Sequence, residues 1–86
     1  MSTMPRLGFV DGSPRFEAYM YSEDHMPPHF HAIRAEGNAG IKISSGDRMK
    51  FKGLEPSSKC YKRIEGWRRK NISLLRKEWG NVITNS

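Results

Sequence analysis

The stretch HFHAIRAEGNAGIKIS, residues 29–44, decides the fold. His29–Ala35 alternates and is rich in residues that favour strands, and so is Ala39–Ser44. Between them, Glu36, Gly37 and Asn38 supply turn chemistry, so the two runs read as an antiparallel hairpin. Upstream, RFEAYMYSE (15–23) alternates as well. Phe16, Ala18 and Met20 would point to one face and Glu17, Tyr19 and Tyr21 to the other. Asp11-Gly12-Ser13-Pro14 is a turn before it, and Leu7–Val10 reads equally as a short strand or as irregular chain. Downstream, Ser45-Gly46-Asp47 turns the chain into a short strand over Arg48–Lys52. There Met49 and Phe51 share a face, and lysines on the other face discourage edge-to-edge aggregation.

After Pro56 the period changes. Ser57 or Ser58 offers a helix N-cap. Cys60, Ile64 and Trp67 then recur at helical spacing, followed by Ile72, Leu75 and Trp79 with Leu74 beside them. Asn71 separates the two stripes as a second cap, and Gly80 suits a C-terminal cap. The expected helices cover about 58–70 and 72–79. Gly66 weakens the first of them by roughly 1 kcal/mol relative to Ala and leaves room for a close neighbour. The fold expected is α+β, a small antiparallel sheet of three or four strands packed against two C-terminal helices. The chain reads as a single domain over 1–86 with flexible ends at about 1–6 and 81–86, and Trp67 and Trp79 join the helix–sheet core.

Composition narrows the function classes. One cysteine, Cys60, excludes an internal disulfide and a four-cysteine metal site within one chain, and fits a reducing compartment. No apolar run approaches a signal-peptide core or a membrane span, so no membrane role and a cytoplasmic location are expected. The formal charge is +6, and Lys59–Trp79 alone carries eight basic residues against two acidic ones. Such a face suits RNA, DNA or an acidic protein, or serves only as a solvated helix surface. Lys62, Arg63, Arg68, Arg69, Lys70 and Arg76 are its candidate nucleic-acid contacts. Arg68, Arg69 and Lys70 stand where the helices meet and where free amide hydrogens could help hold phosphate. Tyr19 and Tyr21 are candidates to stack on bases. There is no Walker loop, zinc knuckle, His-Glu-x-x-His helix or dinucleotide fingerprint.

All three histidines fall within DHMPPHFH, residues 24–31. On a strand, His29 and His31 share a face, about 6.6 Å apart. Pro27 and Pro28 cannot donate to a ladder and make a stiff connector. Three readings follow. His29 and His31, assisted by His25 and oriented by Asp24, could exchange protons in phosphodiester cleavage, which would make the chain a small ribonuclease-like hydrolase. His25, His29 and His31, with Asp24 or Glu23, could instead hold a transition metal such as zinc. Or the histidines are hydrogen-bonded architecture at a corner. With no metal signature beyond this spacing, no cofactor is expected as the first reading.

MYSEDHMPPHFHA, the strand with IKI, and GLEPSSKCYKRIEGWRRKNISLLRKEW together resemble the bacterial family called Domain of Unknown Function 4160. The resemblance covers about residues 14–80. It rests on the Pro-Pro-His-Phe-His run after an aromatic strand and on two helices closed by a tryptophan, here Trp79. It implies a small standalone bacterial protein, often encoded beside another small domain of unknown function (numbered 2442). That arrangement looks like a toxin–antitoxin pair in which this family is the toxin. On that reading the chain is a toxin-like component acting on RNA, with a small antitoxin-like protein partner and room for a homodimer. The alternative is a non-enzymatic nucleic-acid- or protein-binding module with structural histidines. The family hallmark falls on Asp24, His25, Pro27, Pro28, His29, Phe30 and His31. Many relatives have more acidic final helices than this chain.

Overall fold

The computed structural model describes residues 6–20 and 26–85, with side chains as far as Asn81. Five strands, β1 (Arg6–Val10), β2 (Phe16–Tyr19), β3 (His29–Arg34), β4 (Gly37–Lys42) and β5 (Arg48–Gly53), precede α1 (Ser58–Lys70) and α2 (Ile72–Asn85). The sheet is an antiparallel meander in the order β1-β2-β3-β4-β5. Alternation puts Phe16, Ala18, Met20, Phe30, Ala32, Ala39 and Ile41 on one face, where all are buried. The helices complete that core with Cys60, Tyr61, Ile64, Leu75 and Trp79. Trp67 is only partly buried, and its indole lies 5.5 Å from the Phe30 ring. The outer face of the sheet carries His31, Asn38, Gly40 and Lys42.

The sheet has five strands rather than three or four because Arg6–Val10 is a strand. Its own alternation is broken at Gly8, so local propensity is weak. Pairing with β2 and burial of Val10 decide it instead. The β3–β4 turn is Ala35–Glu36, starting one residue before the expected Glu36-Gly37-Asn38, and Arg34 faces Gly37 across the closing pair. Gly37 lies inside β4 because a side chain there would strike the Lys52 carbonyl and the Leu54 backbone.

Ser57 caps α1 by accepting the Cys60 amide at 3.2 Å. Asn71 closes α1, its amide nitrogens donating to the Trp67 and Arg68 carbonyls, and its own carbonyl accepts the Leu75 amide to open α2. Gly80 does not terminate α2, which runs on to Asn85. A lone glycine inside a helix is a modest cost that the turns on either side outweigh. Gly66 has open space where a side chain would go, so no element approaches it.

A charged hydrogen bond from α1 reaches the end of β4. Arg68 is buried on α1. It donates to the Ile43 carbonyl at 2.7 Å and makes a two-pronged pair with Glu65 at 2.7 and 2.6 Å. Arg69 adds a contact to Glu65 at 2.9 Å. The hydrogen bond from Arg68, stronger than the opposing effect of burial and helped by Arg69, lowers the Glu65 carboxyl to about 2. Gly46, at φ +79°, brings its turn against this cluster, where a side chain would collide with the Glu65 carboxylate and the Arg68 guanidinium.

Two outcomes follow. Gly66→Ala should stabilise the fold by about 0.5–1 kcal/mol, read as a rise in denaturant midpoint. Glu65→Gln should destabilise it by about 2–3 kcal/mol at neutral pH, because it leaves Arg68 buried without its anion. A depressed folded-state pKa contributes stability that is complete above the unfolded value of 4.5 and lost as pH falls toward 2. Denaturant melts across that window should therefore show the gap between the two proteins closing on the acid side.

Candidate functional site on the open sheet face

The connector before β3 and the strand itself place the histidines. Pro28 cannot donate, but its carbonyl accepts the Ile43 amide at 3.0 Å, which joins the connector to the end of β4. The Pro27 carbonyl then accepts from His29 Nδ1 at 2.7 Å. A carbonyl can only accept, so Nδ1 donates in this contact. The His29 and His31 rings stand 5.0 Å apart, edge to face. Trp79 of α2 reaches the same end of the sheet, its indole 5.7 Å from His29. His29 is 7% exposed and His31 more open.

His31 is flanked across the sheet by Tyr19 on β2 and Gly40 on β4. Gly40 has no side chain to fill the space beside the imidazole, and Met49 lies against it. The result is a groove of about 540 Å³ along the open face of β3, β4 and β5. His29, His31 and Asn38 line it together with Lys42, Lys50 and Lys52. Arg48 reaches its end, although its guanidinium lies 3.9 Å above the Tyr61 ring on the helical side. Among the described residues no Asp or Glu lines this groove. Lysines on two neighbouring strands set a positive potential beside two imidazoles.

Three of the cations expected on the helices, Arg63, Arg68 and Arg69, are engaged within the fold. Arg68 is committed to Glu65 and Ile43. Arg63 donates to the Asp11 and Pro14 carbonyls at 3.2 and 3.0 Å and so holds the β1–β2 turn on α1. Arg69 is exposed and paired with Glu65. Lys62, Lys70 and Arg76 are exposed. Arg76 lines a small apolar hollow of about 150 Å³ with Pro28, Ile43 and Trp79. Lys62 borders a cavity of about 290 Å³ beside Tyr61 and Glu65. Burial, reinforced by Glu55, pushes the Tyr61 phenol up. Burial alone would also raise the Cys60 thiol, but hydrogen bonds from Ser57 and Arg63 lower it on balance.

Of the expected site residues, the structure therefore brings together His29, His31 and Tyr19 on the open face and leaves the helical cations elsewhere. Asp24, His25 and Tyr21 lie outside the described residues, as does Glu23. Among the described residues no group of three or more His, Cys, Asp or Glu side chains could hold a metal ion. No described helix is long and apolar enough to cross a membrane. The sequence reading missed Lys42, Lys50 and Lys52 as site residues. Their signal was the alternation in IKI and KFK. Before KFK, a register shift between β4 and β5 turns Arg48 toward Tyr61 and puts Met49, expected on the Phe51 face, in the groove.

No curated protein and no solved structure matches the chain. A family model described as "Domain of unknown function (DUF4160)" matches residues 16–80, most of the chain. The strand carrying Pro28-His29-Phe30-His31, the lysine-lined hairpin and both helices as far as Gly80 fall within that match, and the chain belongs to the DUF4160 family.

Proposed function

We propose that this chain is the toxin-like component of a bacterial toxin–antitoxin module, working in the cytoplasm on RNA, and that the open sheet face is its working surface. The observation that carries the reading is the 540 Å³ groove in which two adjacent imidazoles meet Lys42, Lys50 and Lys52. Phosphates drawn into it would exchange counterions for lysines, giving affinity that falls steeply with salt. Tyr19, cross-strand from His31, would stack on a base.

The chemistry that fits two imidazoles is transfer within the RNA chain. His29 Nε2 takes the proton of a ribose 2′-hydroxyl. That oxygen bonds to the adjacent phosphorus, the bond from phosphorus to the 5′-oxygen breaks, and protonated His31 gives its proton to the departing oxygen. The products are a 2′,3′-cyclic phosphate and a free 5′-hydroxyl. Lysines beside the phosphate offset the charge that builds on its oxygens. His25 and Asp24 precede this pair in the chain and are its candidate assistants.

The burial of His29, held by Pro27 and packed beside Trp79, favours a second reading: a non-enzymatic nucleic-acid- or protein-binding module whose histidines are architectural. One assay separates the two. Labelled RNA should be cut with a bell-shaped pH profile, and a DNA strand of the same sequence should not. His31→Ala, confirmed folded by its melting curve, should lose at least 100-fold in rate. Lys50→Glu with Lys52→Glu should weaken binding at low salt by tenfold or more and flatten its salt dependence. Equal cutting by His31→Ala would overturn the catalytic assignment. Salt-sensitive binding without any cutting would leave the groove a binding surface.

A further inference from the structure

β5 is the last strand of the sheet, and its outer edge is unpaired in the described chain. Its register shows which groups face outward. The Leu54 amide donates to the Glu36 carbonyl, so Gly37 and Gly53 form a non-hydrogen-bonded pair. Asn38 and Lys52 then form the hydrogen-bonded pair. The amides and carbonyls of Phe51 and Gly53 are left pointing away from the sheet. On the core side of this edge Phe51, opposite Ala39, is 45% exposed; Leu54, just past the end of β5, is 56% exposed. On the groove side stand Lys50 and Lys52, both exposed.

From this edge we infer that β5 is the docking strand for an extended segment of an acidic protein partner, which adds to the sheet as a sixth strand. Period-two alternation sets the segment's chemistry. Apolar residues on one side would cover Phe51, and Asp or Glu on the other would face Lys50 and Lys52. A second copy of this chain fits poorly, because antiparallel pairing of β5 with itself sets lysine against lysine, and like charges across a pair are destabilising. The inference rests on the proposed module only for the existence of a protein partner, and it is independent of the histidine chemistry. Because Lys50 and Lys52 also line the groove, a segment seated on β5 would compete with phosphate for the same cations.

The test uses the full chain, labelled for nuclear magnetic resonance, with a synthetic capped peptide of alternating glutamate and valine. The peptide should slow hydrogen exchange at the Phe51 and Gly53 amides at least tenfold. It should bind at least tenfold more weakly to Lys50→Glu/Lys52→Glu, and a lysine–valine peptide should not bind the natural chain. No protection of those two amides at millimolar peptide overturns the inference, as does binding that leaves them unprotected. So does a chain that self-associates with the same amides protected and no peptide present. RNA and the histidines take no part in this readout, so its failure and the failure of the cleavage reading are separate results.

Discussion

The Arg68 guanidinium holds the architecture together at the place where function would reside. It reaches from α1 to the Ile43 carbonyl, and the Ile43 amide in turn reaches the Pro28 carbonyl. Next along the chain, the Pro27 carbonyl takes the His29 Nδ1 proton. A buried cation on the helix layer is thus connected, through three hydrogen bonds and a short stretch of backbone, to the orientation of the His29 imidazole at the end of the sheet. Glu65 makes this tolerable. A buried guanidinium without its carboxylate would carry a desolvation cost of several kcal/mol, and the two-pronged pair together with the Ile43 carbonyl engages three of its five donors. The basic helix therefore matters first as a clamp.

That division of labour gives the sheet two unlike faces. The inner face is apolar and covered by the helices. The outer face gathers charge and imidazole because alternation sends Lys42, His29 and His31 there while their neighbours Ile41, Phe30 and Ala32 enter the core. A glycine at position 40 keeps the surface concave beside His31. The same period-two rule that builds the core thus builds the groove, and a one-residue slip of register would destroy both.

Much of this was legible in the sequence. The turn between β3 and β4, the start of α1 at Ser57–Ser58, the break at Asn71 and the inward set Phe16, Ala18 and Met20 all follow from local period and capping chemistry. What was hidden depends on contacts distant along the chain. Arg6–Val10 becomes a strand only by pairing with β2. Arg68 reads as one more cation in a basic run, and only its position on the buried side of α1, in line with Tyr61 and Ile64, distinguishes it from exposed Arg69 and Lys70. The groove lysines read as edge protection for the same reason, since which strand faces which cannot be taken from spacing. Gly80 carries a helix-end signal that the residues beyond it override. The Pro-Pro-His-Phe-His run drew attention to His29 and His31 correctly as neighbours. Their company on the sheet is Lys42, Lys50 and Lys52, whereas the helical arginines lie on other surfaces.

The central claim is that the open sheet face, and not the basic helices, meets the nucleic acid. The most direct measurement is backbone chemical-shift mapping of the labelled chain titrated with a short single-stranded RNA at low salt. The account predicts shifts concentrated at Tyr19, His31, Gly40, Lys42, Lys50 and Lys52, with Lys70 and Arg76 unmoved. Shifts confined to Arg69, Lys70 and Arg76, with the strands of the groove silent, would contradict it and return the interaction to the helices.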